Sequence, residues 1–202
     1  MVKLIPTRGI TARTRWACAC AALFLLVSVA VVTSPRSAYA GGKAAVQAEE
    51  HYKKGAKLGQ AGRFKEAMDE FKRATELNPK HALAFNGWGI SLARMGRTDE
   101  AIAKFKRSTE LDPIQARPYY NWGNVLLEAH DNKGAIEKFK KATELDKWSA
   151  PAYSGWGMAL VNMGRYDEAI EKFKMAAKVE PAKAAEIDAT IKKIQAMKRG
   201  GR

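Results

Sequence analysis

The stretch ALAFNGWGISLARMGRTDEAIAKFKRSTELDPIQ, residues 82–115, recurs almost in register on both sides of itself. Units that begin at Ala48, Ala82, Ala116 and Ala150 divide the chain into four blocks of 34 residues, 48–81, 82–115, 116–149 and 150–183, with no insertion or deletion between them. A fixed period of this length indicates stacked repeats, each too small to bury its own apolar face.

The spacing within one unit explains the stacking. The eleventh position is Leu58, Leu92, Leu126 and Leu160, the twentieth is Ala67, Ala101, Ala135 and Ala169, and the twenty-fourth is Phe71, Phe105, Phe139 and Phe173. In the second unit Phe85, Trp88, Leu92 and Met95 recur at helical spacing, a break follows at Gly96, and Ala101, Ile102, Phe105 and Ser108 resume the period. This predicts two amphipathic helices joined by a tight turn. Gly62, Gly96 and Gly164 suit the left-handed backbone that ends a helix, and Asp99-Glu100 or Asp167-Glu168 put negative charge at the start of the next. Pro79, Pro113 and Pro181 close each second helix. Gly55, Gly89, Gly123 and Gly157 in the first helices, facing the four alanines of the second, allow close approach.

These residues resemble the tetratricopeptide repeat, which the last unit matches with Tyr153, Trp156, Gly157, Leu160, Ala169, Phe173, Ala176 and Pro181. The systematic departure is Trp88, Trp122 and Trp156 where the family usually has Leu, which we read as a bulkier core. The resemblance covers residues 48–183 and implies an all-α fold: a right-handed α-solenoid of four helix-turn-helix repeats, followed by a capping helix over residues 184–198. It names a scaffold more readily than a ligand.

Residues 1–40 are of another kind. Lys3, Arg8, Arg13 and Arg15 precede an apolar run from Trp16 to Val32, and Ala38-Tyr39-Ala40 offers small residues where a signal peptidase reads. A secretory signal cleaved after Ala40 is expected, with an uncleaved anchor through residues 16–32 as the alternative. Either would place the remainder across a membrane, exported to a periplasmic or other extracytoplasmic space. The only cysteines, Cys18 and Cys20, lie in this leader, so disulfides play no part beyond it. Its removal takes five basic residues and no acid, lowering the formal charge from +14 to +9. Acids and bases alternate on the second helices, as on a solvated face. The excess of positive charge leaves contact with an anionic surface open, and for an exported chain nucleic acid is not expected.

Other segments carry their own expectations. Residues 41–47 read as a flexible linker and 199–202 as a frayed basic tail. His51 and Lys54 replace the aromatic and the Trp of later units, which marks a water-facing N-terminal end of the stack. In the third unit His130 replaces the turn glycine, so the turn should shift onto Asp131 or Asn132, both tolerant of left-handed backbone. Trp148 stands in the link between units three and four, either packed over that joint or exposed as an anchor for a partner.

Catalytic chemistry is not visible. His51, His81 and His130 fall at unrelated places, no metal-ligand spacing occurs, and Glu76, Glu110 and Glu144 repeat as structure does. No enzyme, cofactor or metal is expected. The resemblance places the binding wall on the concave side, lined by Tyr52, Leu83, Asn86, Ile90, Arg94, Arg117, Tyr120, Asn124, Leu127, Glu128, Ser154, Met158, Val161 and Asn162, a mixture suited to an extended or helical peptide. Some family members clamp terminal carboxylates. Here Tyr52, Ala56 and Gly87 stand where such a clamp needs amides and lysine, which argues against it. Two functions remain: an adaptor of the cell envelope with a protein or peptide partner, or a scaffold that assembles with copies of itself.

Overall fold

A computed structural model describes residues 35–200, and side-chain environments from residue 42 on. Among the described residues there are helices and turns but no strand. The elements are α1 (Pro35–Gln60), α2 (Phe64–Leu77), α3 (Ala82–Arg94), α4 (Thr98–Leu111), α5 (Ala116–Glu128), α6 (Asn132–Leu145), α7 (Ala150–Asn162), α8 (Tyr166–Val179), a 3-10 turn (Pro181–Lys183) and α9 (Ala184–Gly200). The all-helical solenoid expected from the period is present. The apolar run of residues 16–32 and the charged segment before it lie outside the described residues. Residues 41–47 are part of α1 and not a loose linker: Ala44, Ala45 and Ala48 favour helix strongly enough to carry it past Gly41 and Gly42. At the other end α9 continues to Gly200, beyond the start of the expected frayed tail.

One contact, repeated, closes every hairpin. The ring of Phe71, Phe105, Phe139 or Phe173 lies against the glycine eight residues into its own unit, where an added Cβ would come within 2.7–2.9 Å of ring carbon. Two of these rings also meet a glycine of the following unit: a Cβ on Gly87 would lie 2.5 Å from Phe71, and one on Gly155 2.6 Å from Phe139. The phenylalanines thus tie hairpin to hairpin as well as helix to helix. Ala67, Ala74, Ala101, Ala135, Ala142 and Ala169 are fully buried around them. Four core clusters follow one another along the stack, the last formed by Tyr153, Ile170, Phe173 and the α9 residues Ile187, Ile191 and Ile194.

The turns repeat as closely. Gly62, Gly96 and Gly164 have φ of 75°, 74° and 72°, and the next residue returns a backbone bond of 2.9–3.0 Å to the leucine five before it, as in Arg97 N–H to Leu92 O. In the third unit His130 itself takes the left-handed conformation, with φ 61°. The expected shift onto Asp131 or Asn132 does not occur; Asp131 instead caps α6, its Oδ1 accepting from Gly134 N at 3.0 Å. This replaces the ion pairs Arg63–Glu66, Arg97–Glu100 and Arg165–Glu168 found at the same place in the other units. Each of those arginines holds its glutamate below the ordinary carboxylate range through a side-chain hydrogen bond.

The tryptophans pack differently from a plain core residue. Trp88, Trp122 and Trp156 are half-buried, and Lys104, Lys138 and Lys172 set their ammonium groups over the rings at 3.8, 4.4 and 3.9 Å. In the first unit the corresponding pair is Lys54 and Glu70, joined at 2.8 Å. Glu70 is buried at 6% exposure and also takes bonds from His51 Nδ1 at 2.6 Å and from Arg73 at 3.3 Å. Burial would raise its carboxyl, but hydrogen bonds from Lys54 and His51 outweigh that and hold it below the ordinary value. His51 and Lys54 are therefore more than polar residues at an exposed end: they exist to match a buried acid.

Candidate binding clefts on the first helices

The first helix of each unit contributes one wall of a groove, and the side chains there form two separate clefts. The N-terminal cleft, about 300 Å³, is lined by Tyr52 and Ala56 of α1, Leu83, Asn86 and Ile90 of α3 and Arg117 of α5, with Phe71 and Gly87 behind them. A rim space of about 350 Å³ shares Gln60, Phe64 and Ile90 with it and adds Arg94. The C-terminal cleft, about 420 Å³, takes Tyr120, Asn124, Ser154 and Met158, and is walled on its far side by Glu180, Lys183 and Glu186.

Most of the residues expected on the concave wall are thus brought together, though in two groups. Several stand elsewhere. Leu127 and Val161 are half-buried against core clusters and serve stacking. Glu128 is the exposed last residue of α5, and Asn162 donates to Asn132 Oδ1 at 3.1 Å, joining the fourth unit to the third. Asn86 lines the cleft but is buried, its Oδ1 accepting from Asn121 at 3.0 Å, so it also joins the second unit to the third. Trp148 lines neither cleft. It is 79% exposed and not packed over the joint, its backbone N–H fixed by Asp146 Oδ1 at 3.0 Å. Ile114, at the same place one unit earlier, is 77% exposed and held in the same way by Asp112.

Sequence reasoning overlooked the α9 wall, although the signal was present. From Ala184 the first-helix pattern starts again in register, with Ile187 at the aromatic fourth position and Ile194 at the leucine eleventh. The glycine eighth position is filled by Ile191, which is buried in the last core cluster. Gln60, Phe64 and Gly87 were also not anticipated in the N-terminal cleft.

Charge differs between the clefts. Arg94 lies with its guanidinium 5.2 Å over the Phe64 ring, and Arg117 projects at the edge of the N-terminal cleft. In the C-terminal cleft Glu180 pairs with Lys183 at 3.0 Å and Glu186 adds a further acid. Among the described residues no group of three or more His, Cys, Asp or Glu side chains could hold a metal ion, and no helix is long and apolar enough to cross a membrane.

Residues 52–116, 86–150 and 126–194 match the tetratricopeptide repeat. The chain belongs to this family. Among solved structures, MamA superposes with a TM-score of 0.64 at 22% identity, over 76% of this chain and 85% of that one. YrrB, described as a TPR protein with an unusual peptide-binding site, gives 0.62 at 23% identity over 74% and 76%. PilF of Pseudomonas aeruginosa gives 0.71 at 16% identity over 78% and 72%. At these identities the likeness is one of fold. No curated protein matches the chain.

Proposed function

We propose that the protein is a non-catalytic adaptor of the cell envelope that holds a peptide or protein segment against the first helices of its repeats. One observation carries this reading: the concave wall opens clefts of about 300 and 420 Å³ whose linings mix aliphatic, aromatic, amide and charged groups, with the charged ones at the edges. YrrB, a relative in fold alone, is described as binding peptide. The envelope location rests on the leader of residues 1–40, with its basic start, apolar run and Ala38-Tyr39-Ala40.

The test uses residues 43–202, which contain all four core clusters. A display library of random 12-residue peptides is sorted against this protein and against the variants Ile90→Asp and Met158→Asp. Selected peptides should lose binding to one or both variants while the melting temperatures stay unchanged. Peptides indifferent to both would place the binding surface elsewhere. Fractionation of cells carrying the full chain tests the location; recovery in the cytoplasm overturns it.

A scaffold that assembles with copies of itself is the second reading, favoured by Ile114 and Trp148. Two large apolar side chains so exposed, one unit apart on the same edge, are suited to a partner surface. Light scattering over a concentration series decides: a persistent monomer contradicts assembly.

A further inference from the structure

The links that follow the second helices share one plan. The thirty-first residue of each unit, Asn78, Asp112, Asp146 or Glu180, opens a tight turn, and the thirty-third, Lys80, Ile114, Trp148 or Ala182, stands at its tip. In the first three links the side-chain oxygen of the Asn or Asp accepts from the backbone N–H at the tip, at 3.1, 3.4 and 3.0 Å. The same turn forms around lysine as around isoleucine or tryptophan, so folding sets no need for an apolar tip. Yet Ile114 and Trp148 are the most exposed large hydrophobic side chains among the described residues, at 77% and 79%.

We propose that this row of tips rests on a lipid bilayer, with Ile114 and Trp148 seated in the headgroup zone. Area argues for lipid over a second protein surface. A side chain of tryptophan size covers about 150–250 Å², so the pair offers a few hundred Å² at most, whereas a stable protein contact buries about 800 Å² on each partner. The residues beside the tips, Pro113, Gln115, Lys147 and Ser149, add little apolar surface to theirs. Contact between copies needs a matching surface around the pair. A bilayer needs none, because it takes up side chains singly.

The chemistry of the row suits that boundary. Tryptophan has an apolar ring and one N–H, and so favours the zone where hydrocarbon meets water. Lys80 on one side of the apolar pair, and Lys147 and Lys183 beside and beyond Trp148, are all exposed. Their long stems let the ammonium groups stay among the headgroups while the tips sit lower. The acids of the row are engaged within their own links: Asp112 and Asp146 accept from the tip N–H, and Glu180 pairs with Lys183 at 3.0 Å. Three lysines against three acids leave the row close to neutral, so the apolar pair provides the attraction. Two side chains hold weakly, which orients a chain on a membrane and does not anchor it alone. The hairpin turns at Gly62, Gly96, His130 and Gly164 then point away from the bilayer, since the helices of each hairpin are antiparallel. This inference goes beyond the groove reading and stands apart from it.

The test measures co-sedimentation of residues 43–202 with vesicles of phosphatidylcholine, with and without phosphatidylglycerol, as lipid is raised into the millimolar range. Both vesicles should take up the protein. Ile114→Ala and Trp148→Ala should each lower the partition coefficient roughly fivefold to tenfold, with melting temperatures unchanged. Val46→Ala, at an exposed apolar position on α1 away from the tips, should not lower it. Lipid brominated in its acyl chains should quench part of the tryptophan fluorescence of the wild type and none in Trp148→Ala, because Trp88, Trp122 and Trp156 are half-buried in the stack. Absence of uptake, or uptake that both tip variants share equally, overturns the proposal. Light scattering without lipid covers the competing occupant: self-association that both tip variants abolish, with no uptake by vesicles, overturns it in favour of contact between copies.

Discussion

Gly87→Ala tests the packing that joins one repeat to the next. In an ordinary helix interior the change would gain about 1 kcal/mol, because alanine loses less backbone entropy. Here the new methyl would come within 2.5 Å of Phe71 Cζ and 2.6 Å of Cε1. The same ring also meets Gly55, where an added Cβ would lie 2.9 Å away, so moving it disturbs the contact inside its own hairpin. Overfilling such a contact costs about 1–3 kcal/mol, occasionally more. With distances this short the upper part of that range applies, and the net effect should be a loss of about 2 kcal/mol.

For a protein of this size that corresponds to a fall in Tm of about 4–8 °C. Gly59→Ala supplies the contrast, because its added Cβ would meet only Ala67 Cβ, at an ordinary 3.9 Å. That variant should gain up to about 1 kcal/mol. The assay is urea unfolding of residues 43–202, followed by a double-mutant cycle with Phe71→Leu. Removing part of the ring should relieve the added methyl, with a favourable coupling of about 1–2 kcal/mol. If Gly87→Ala stabilises as Gly59→Ala does, or if it adds to Phe71→Leu without coupling, the ring does not fill the slot between the units.

Glu70→Gln should cost about 1–3 kcal/mol at neutral pH, since Lys54, Arg73 and His51 lose a buried carboxylate acceptor. Because the native carboxyl is held below its ordinary value of 4.5, its contribution is present above that pH and is lost as pH falls through the lowered native value. The gap between wild type and variant, followed by urea unfolding, should therefore narrow toward pH 3. His130→Gly should stabilise by about 0.5–1 kcal/mol, since φ of 61° strains a side chain that glycine lacks, and a lower urea midpoint would contradict this. Trp122→Ala should lose about 3 kcal/mol, as Trp122 packs against the Leu92, Phe105 and Val125 cluster. Trp148→Ala should leave the melting temperature within about 1 °C of wild type, its side chain being exposed. Thermal melts that rank these two tryptophans the other way would reverse the assignment of faces.

The hairpins were legible in the sequence because their contacts recur. Gly89 opposite Phe105 is one of four copies of a single local contact and Gly96 before Arg97 one of three, and copies that agree leave little room for another register. What recurrence could not reveal was the single-copy detail. His130 holding the left-handed turn unaided, with Asp131 capping the next helix, is invisible to a pattern that expects glycine. Lys54 looked like a concession to solvent because Glu70, sixteen residues on, was read among alternating surface charges. Only the fold shows that they replace a tryptophan and lysine pair as a unit. The groove was legible as a face but not as two clefts, because α9 enters the second one from beyond the fourth repeat.

The same comparison between copies separates what holds the stack from what faces outward. Glycine at the eighth position, alanine at the twentieth and phenylalanine at the twenty-fourth are identical in all four units, since each unit must solve the same packing problem. At the seventh and twenty-third positions residues change together, tryptophan with lysine or lysine with glutamate, because two side chains share one space. On the concave wall the ninth position reads Ala56, Ile90, Asn124 and Met158, and the second reads Glu49, Leu83, Arg117 and Pro151. These differ in size, charge and polarity although their hairpins stack alike, so stacking does not dictate them. Asn86 belongs to both classes: it lines the N-terminal cleft and bonds to Asn121, which occupies the place where Gly87 and Gly155 admit a ring. A ligand touching Asn86 would therefore press on the joint between units two and three, where contact with the groove and stability of the stack meet in one side chain.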